Sequence, residues 1–216
     1  VTQHLNEQFG RTGPVIGSTA SPTGDIWETH NSSFTPVDPS VNGSALSISF
    51  VSAVLLRNAA TPAGADRTVV LQFTPTDDAW AVGLMTRATS DGQAYEVLLF
   101  GGSPSVGYVE RRTSTSNGWG GTNIGTVVNT GDLPVGTNRT AHILEFSVIG
   151  STLTSKIDGI DLNFGSALTD PNITGIGFDG LIGKGVDIAY ITGDDVSGGG
   201  GGGSTLLAKL NRYLRG

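Results

Sequence analysis

Glu96 and Glu110 are the acids whose spacing could do chemistry. Each interrupts an apolar stretch, residues 94–100 and 106–112, and Gly101-Gly102-Ser103-Pro104 separates the two. If residues 101–105 form a five-residue hairpin loop, the glutamates stand opposite each other, an arrangement that repels unless a function uses it. A register shifted by one sets Glu96 against Arg111 as an ordinary ion pair, and that register is the expected one. The choice matters because glycosidic cleavage needs two carboxylates facing one sugar. His4, His30 and His142 are scattered without ligand spacing and cysteine is absent, so zinc has no support. Asp77-Asp78 and Asp194-Asp195 could contribute to a calcium site, but neither pair lies in a ligand ladder. Both are expected as solvated acids at strand ends. No GxSxG, P-loop or dinucleotide-binding glycine pattern occurs. No catalytic residue, metal or cofactor is therefore assigned, and the expectation is a protein that is not an enzyme.

Aromatic rings carry a second kind of chemistry. A sugar ring stacks its apolar face on a side-chain ring while its hydroxyls seek polar neighbours. Trp119 lies in a Gly/Ser/Thr/Asn stretch, 114–125, which reads as a loop. Tyr95 and Tyr108 fall near Glu110 and Arg112 on neighbouring strands. Trp119, Tyr95, Tyr108, Glu110 and Arg112 form the candidate glycan-binding set, whereas Trp27 and Trp80 are expected in the core. Asn-x-Ser/Thr triplets at Asn31, Asn42, Asn138 and Asn172 arise readily in so Ser- and Thr-rich a chain and carry no weight.

The elements that must position these residues read as strands. Leu46, Ile48 and Phe50 alternate with serines, and 67–74, 79–86, 94–100 and 106–112 follow between turn signals. Residues 141–149 and 152–157 flank Gly150-Ser151, a two-residue hairpin turn with Gly first, which sets Glu145 opposite Lys156. Residues 173–191 supply a closing strand on which Val186, Ile188 and Tyr190 alternate with Asp187 and Ala189. The first 45 residues are turn-rich and read as one strand with long packed loops. Thirty-three glycines among many Thr and Ser disfavour long helices. The 216 residues fit one domain, and no run approaches the roughly 20 apolar residues of a transmembrane helix. A net charge of −7 argues against nucleic acid as a partner. The opening residues carry no basic-then-apolar leader, which fits a removed initiator methionine or a processed chain.

This succession predicts an all-β, two-sheet antiparallel sandwich over residues 1–196. The segments AVGLMTRATSDGQAYEVLLF, VGYVERR, ILEFSVIGSTLTSKIDGIDL and VDIAYITGDD resemble those of concanavalin A-like and laminin-G-like jelly rolls. The resemblance spans roughly residues 9–192 and implies the fold. Glycoside hydrolases of that group carry acids in a Glu-x-Asp-x-Glu or Glu-x-Asp-x-x-Glu pattern, which this chain lacks.

The tail is separate. Residues 197–204 form a glycine linker, and residues 205–216 a short amphipathic helix. At 100° per residue, Leu206, Leu207, Leu210, Tyr213 and Leu214 share one stripe, with Lys209, Arg212 and Arg215 outside it. So short a helix needs a surface to order against. The expected surface is another protein or a neighbouring copy. The alternatives are its own sandwich, an engineered fusion peptide, and a membrane, which three basic residues serve poorly.

Three functions follow in order of preference. The first is a bacteriophage virion accessory protein, a capsid decoration or minor tail component. It would be made in the host cytoplasm and anchored by the helix to other virion proteins, with the sandwich outward and open to host glycans. The tail also resembles Gly-linked C-terminal segments of actinobacterial phage accessory proteins. The second is a secreted or cell-surface carbohydrate-binding module, and the third a glycoside hydrolase.

Overall fold

Alternation of apolar and polar residues builds the sandwich. The computed structural model describes residues 2–17, 26–29, 39–49, 54–58, 64–89, 92–101, 105–112, 121–128 and 139–196. Among these residues it is all-β, in two antiparallel sheets. Sheet one contains β1 (Thr2–Glu7), β2 (Thr12–Pro14), β4 (Ser40–Asn42), β5 (Leu46–Ile48), β7 (Arg67–Pro75), β12 (His142–Ile149), β13 (Thr152–Ile157), β14 (Ile160–Asp161), β15 (Leu168–Thr169) and β17 (Val186–Asp195). Sheet two contains β3 (Trp27–Thr29), β6 (Val54–Asn58), β8 (Ala81–Ala88), β9 (Ala94–Phe100), β10 (Val106–Arg112), β11 (Thr122–Thr126) and β16 (Phe178–Lys184). Sheet one runs β14-β13-β12-β7-β17-β5-β4-β2, with β1 also on β17 and β15 on β13; sheet two runs β11-β10-β9-β8-β16-β6-β3.

Val69, Leu71 and Phe73 of β7 meet Val82 and Leu84 of β8 and Val97 and Leu99 of β9 between the sheets. Burying each such side chain stabilises by about 1.5–3 kcal/mol. Trp27 and Trp80 lie in this core, as expected. The Trp80 ring packs directly over Gly101, where a Cβ would lie 2.1 Å from its Nε1. Trp27 Nε1 donates to the buried Glu7 carboxylate (3.1 Å), which also holds Arg11 at 2.6 Å.

The β12–β13 hairpin has the expected register, Glu145 opposite Lys156, and Gly150 opens its turn at φ +58°. Four expectations need correction. The first 45 residues carry four strands, β1 to β4, rather than one. Residues 114–125 are not all loop, because β11 begins at Thr122 and pairs with β10. Pairing supplies backbone hydrogen bonds that side-chain propensity does not announce. The closing segment is two strands, β16 and β17, which lie in different sheets and part at Gly185. On β17 a bulge between Ile188 and Tyr190 takes Tyr190 off the Val186–Ile188 face and turns Ile191 inward. Finally, Asp194 and Asp195 are buried rather than solvated, because β1 covers that end of β17. Asp77 and Asp78 do sit at a turn, with Asp77 Oδ1 accepting the Ala79 N–H.

One carboxylate crosses between the sheets. Asp179 of β16 accepts from Arg67 Nη1 of β7 (2.9 Å) and Thr86 Oγ1 of β8 (2.7 Å), and its Oδ2 lies 2.5 Å from His4 Nε2 of β1. His4 Nδ1 lies 3.5 Å from Asp195. Burial alone would raise the Asp179 carboxyl, but His4, Arg67 and Thr86 outweigh it and hold it below the usual carboxylate range. Removing the charge leaves the buried Arg67 guanidinium without its counter-charge. Asp179→Asn should therefore cost about 3–5 kcal/mol in denaturant unfolding at pH 7. The folded pKa is depressed, so this contribution is full above the unfolded value near 3.9 and fades as pH falls through the folded one. The stability gap between wild type and variant should hold from about pH 7 to 5 and narrow below about pH 4.

Candidate functional site

The β9–β10 hairpin decides the register left open by the sequence. Residues 101–105 connect Phe100 to Val106, and Glu110 stands directly opposite Glu96. The expected shifted register, with Glu96 facing Arg111, is therefore corrected: Arg111 pairs with Tyr95. Alternation then sorts the two strands. Tyr95, Val97, Leu99 and Val109 face the core, while Glu96, Leu98, Phe100, Tyr108, Glu110 and Arg112 share the outer face of sheet two.

Repulsion between the opposed glutamates is relieved by giving each its own donors. Arg112 Nε donates to Glu96 Oε1 (2.5 Å) and Nη2 to Oε2 (2.9 Å), a bidentate pair with Glu96 0 % and Arg112 1 % exposed. Burial pushes the Glu96 carboxyl upward and Arg112 pulls against it. Glu110 is only partly buried and accepts the Gly121 N–H at 2.7 Å. Beside it, Tyr108 meets Phe100 edge to face with ring centroids 6.1 Å apart, and both rings are partly exposed. Asn123 and Thr126 of β11 stand next to Glu110 and Tyr108 in register; both are exposed, and Asn123 Nδ2 donates to Thr126 Oγ1 (3.0 Å).

The candidate set is thus divided. Tyr108, Glu110 and Arg112 share one face, while Tyr95 is a correction, because it points the other way and is fully buried. The Tyr95 hydroxyl lies 2.8 Å from Asp170 Oδ1 and accepts the Ile173 N–H, pinning the segment after β15. Burial would raise the Asp170 carboxyl, but bonds from Asn172 and Tyr95 and the charge of Arg111 hold it low. Trp119, Leu206, Leu207, Leu210, Tyr213 and Leu214 lie outside the described residues. Phe100, Asn123 and Thr126 were missed, as was an apolar cluster of Met85, Leu98 and Ile182 on the same outer face. The signal for that cluster was present: residues 81–88 and 94–100 are nearly continuous apolar runs, the mark of strands buried on both faces. Among the described residues no group of three or more His, Cys, Asp or Glu is placed to hold a metal ion. A concavity on sheet one between β13 and residues 161–168 has Asp161 as the only acid among its described lining residues, and that carboxylate lies 3.5 Å from Lys156.

No family model matches the chain, and no curated protein matches it. Solved structures do. The carbohydrate binding module CBM66 from Bacillus subtilis matches with TM-score 0.53 and 14 % identity, over 76 % of this chain and 91 % of that one. Beta-agarase A from Zobellia galactanivorans matches with TM-score 0.56 and 14 % identity, over 90 % of this chain and 92 % of that one. The exoplasmic/lumenal domain of VIP36, solved with Ca2+ and Man2 bound, matches with TM-score 0.56 and 10 % identity over 92 % of each chain. At these identities the likeness shows the fold. The chain is an all-β, two-sheet antiparallel jelly-roll sandwich, the fold its quoted segments implied. The expectation of a virion role draws no support from these matches.

The Glu96–Arg112 pair can be tested by breaking and then replacing it. Arg112→Met leaves Glu96 buried without a partner and should destabilise by about 3–5 kcal/mol in urea unfolding. Glu96→Leu combined with Arg112→Met should recover most of that loss, since two apolar side chains carry no desolvation penalty.

Proposed function

We propose that this domain is a non-catalytic carbohydrate-binding sandwich whose sugar contacts lie on the β10–β11 side of the outer face of sheet two. The observation that carries the reading is the Phe100–Tyr108 ring pair, partly exposed beside Glu110, Asn123 and Thr126. A sugar ring can lie on the Tyr108 face while the carboxylate, amide and hydroxyl take its hydroxyls. The fold is shared with structures described as a carbohydrate binding module and as a Man2-bound domain, which supports the same choice. The non-catalytic part rests on the fate of the two acids. Glu96 has both oxygens bonded to Arg112 and no exposed surface, so it is not presented to a sugar as a proton donor or nucleophile.

A glycan array of neutral and acidic oligosaccharides tests this reading. The wild-type chain should bind at least one ligand class, and Tyr108→Ala should weaken it by about tenfold or more, ~1.4 kcal/mol, with its melting temperature unchanged. Trp119→Ala belongs in the same assay, as the remaining ring of the candidate set. Array signals indifferent to Tyr108→Ala and Phe100→Ala would sink the proposed face. Release of reducing ends that Glu110→Gln abolishes would instead establish a glycoside hydrolase.

A further inference from the structure

β13 and the chain that returns along it do not match in length. Ser155 O accepts the Leu162 N–H (2.9 Å), and Leu153 stands opposite Leu168. Between those two positions β13 has only Thr154, while the returning chain has residues 163–167. Antiparallel strands pair residue for residue, so the surplus residues bow away from the sheet edge. The bow and β13 enclose about 340 Å³. Packing and hydrogen bonds fix its shape. Leu162 and Leu168 anchor its two ends in the inter-sheet core, and Phe164 packs against the same core from between them. Asn163 Oδ1 accepts the Gly165 N–H (2.9 Å), and Asn163 O accepts the Val128 N–H (2.8 Å). Gly165 takes φ +82°, a left-handed conformation that favours glycine.

We propose that this bowl at the edge of sheet one is a second binding site, for a single neutral sugar ring. Thr154, Asp161, Asn163 and Ser166 line it and are all exposed, which sets two hydroxyls, a carboxylate and an amide around one opening. Asn163 spends its side-chain oxygen on Gly165, which leaves Nδ2 to donate, and the Asp161 carboxylate can accept from two hydroxyls at once. Phe164, partly exposed, supplies an apolar wall on which the C–H face of a ring can lie. Charge argues against other ligands. The described lining has one carboxylate and no cation, which disfavours an anion. Lys156, 3.5 Å from that carboxylate, already answers it and so weakens the pull on a cation. The volume falls at the low end of the roughly 300–1,000 Å³ usual for ligand sites, room for one ring rather than a chain.

The ligand class rests on the carbohydrate reading above, but the bowl shares no residue with the sheet-two face, so the two can fail separately. Amide-resolved NMR of the full isotope-labelled chain distinguishes them. The probes are glucose, galactose, mannose, xylose and N-acetylglucosamine, each titrated alone. At least one should give saturable shifts at Thr154, Asn163, Gly165 and Ser166, with a Kd in the millimolar range expected of a single ring. Asp161→Asn should weaken that binding by about tenfold. Ser166→Trp should abolish it by filling the bowl, and Thr169→Ala, on β15 just outside, should leave it unchanged. Melting temperatures should match wild type in all three. Shifts confined to the bowl keep this site and count against the sheet-two face. Shifts at Tyr108 and Asn123 with none at the bowl would overturn the second site and keep the first. Bowl shifts that persist unchanged in both Asp161→Asn and Ser166→Trp, or no saturable shift with any probe, would overturn it as well.

Discussion

The Asp179 carboxylate is the interaction on which the sandwich closes. It is carried by sheet two and held by Arg67 of sheet one, Thr86 of sheet two and His4 of the N-terminal strand. An ionised carboxylate between two apolar sheets survives only when its lone pairs are filled by cationic or hydroxyl donors. The same contact places β1 over the end of β17, which is why Asp194 and Asp195 are buried and why the two ends of the described chain pair. Gly193 belongs to this arrangement. A Cβ there would lie 2.8 Å from both Asp179 Oδ2 and His4 Nε2.

A second ion pair does on the outer face what Asp179 does inside. Glu96 and Arg112 are equally hidden, although they face away from the inter-sheet core. Sheet two is therefore buried on both sides at its centre and open at its β10–β11 side. That gradient divides the face chemically. Apolar side chains and a saturated ion pair lie at the centre, with rings, an amide, a hydroxyl and a carboxylate at the open side. Jelly-roll sandwiches host many functions, so function has to be argued from such a site and not from the fold. The proposed sugar contact follows from the open side.

Strand alternation, the Gly150-Ser151 hairpin, the Glu145–Lys156 pair and the tryptophan core were legible in the sequence, because each depends on neighbours a few residues apart. So was the two-sided burial of residues 81–88 and 94–100, in apolar runs that lack the polar alternation of a half-exposed strand. What the tertiary structure alone decided is long-range. Composition could not place His4 beside Asp179, 175 residues away. Nor could it choose between two hairpin registers for Glu96, since a shift of one residue carries every side chain to the other face. That single choice sent Tyr95 into the core, left Tyr108 outside, and set two glutamates side by side with an arginine for one and a backbone N–H for the other.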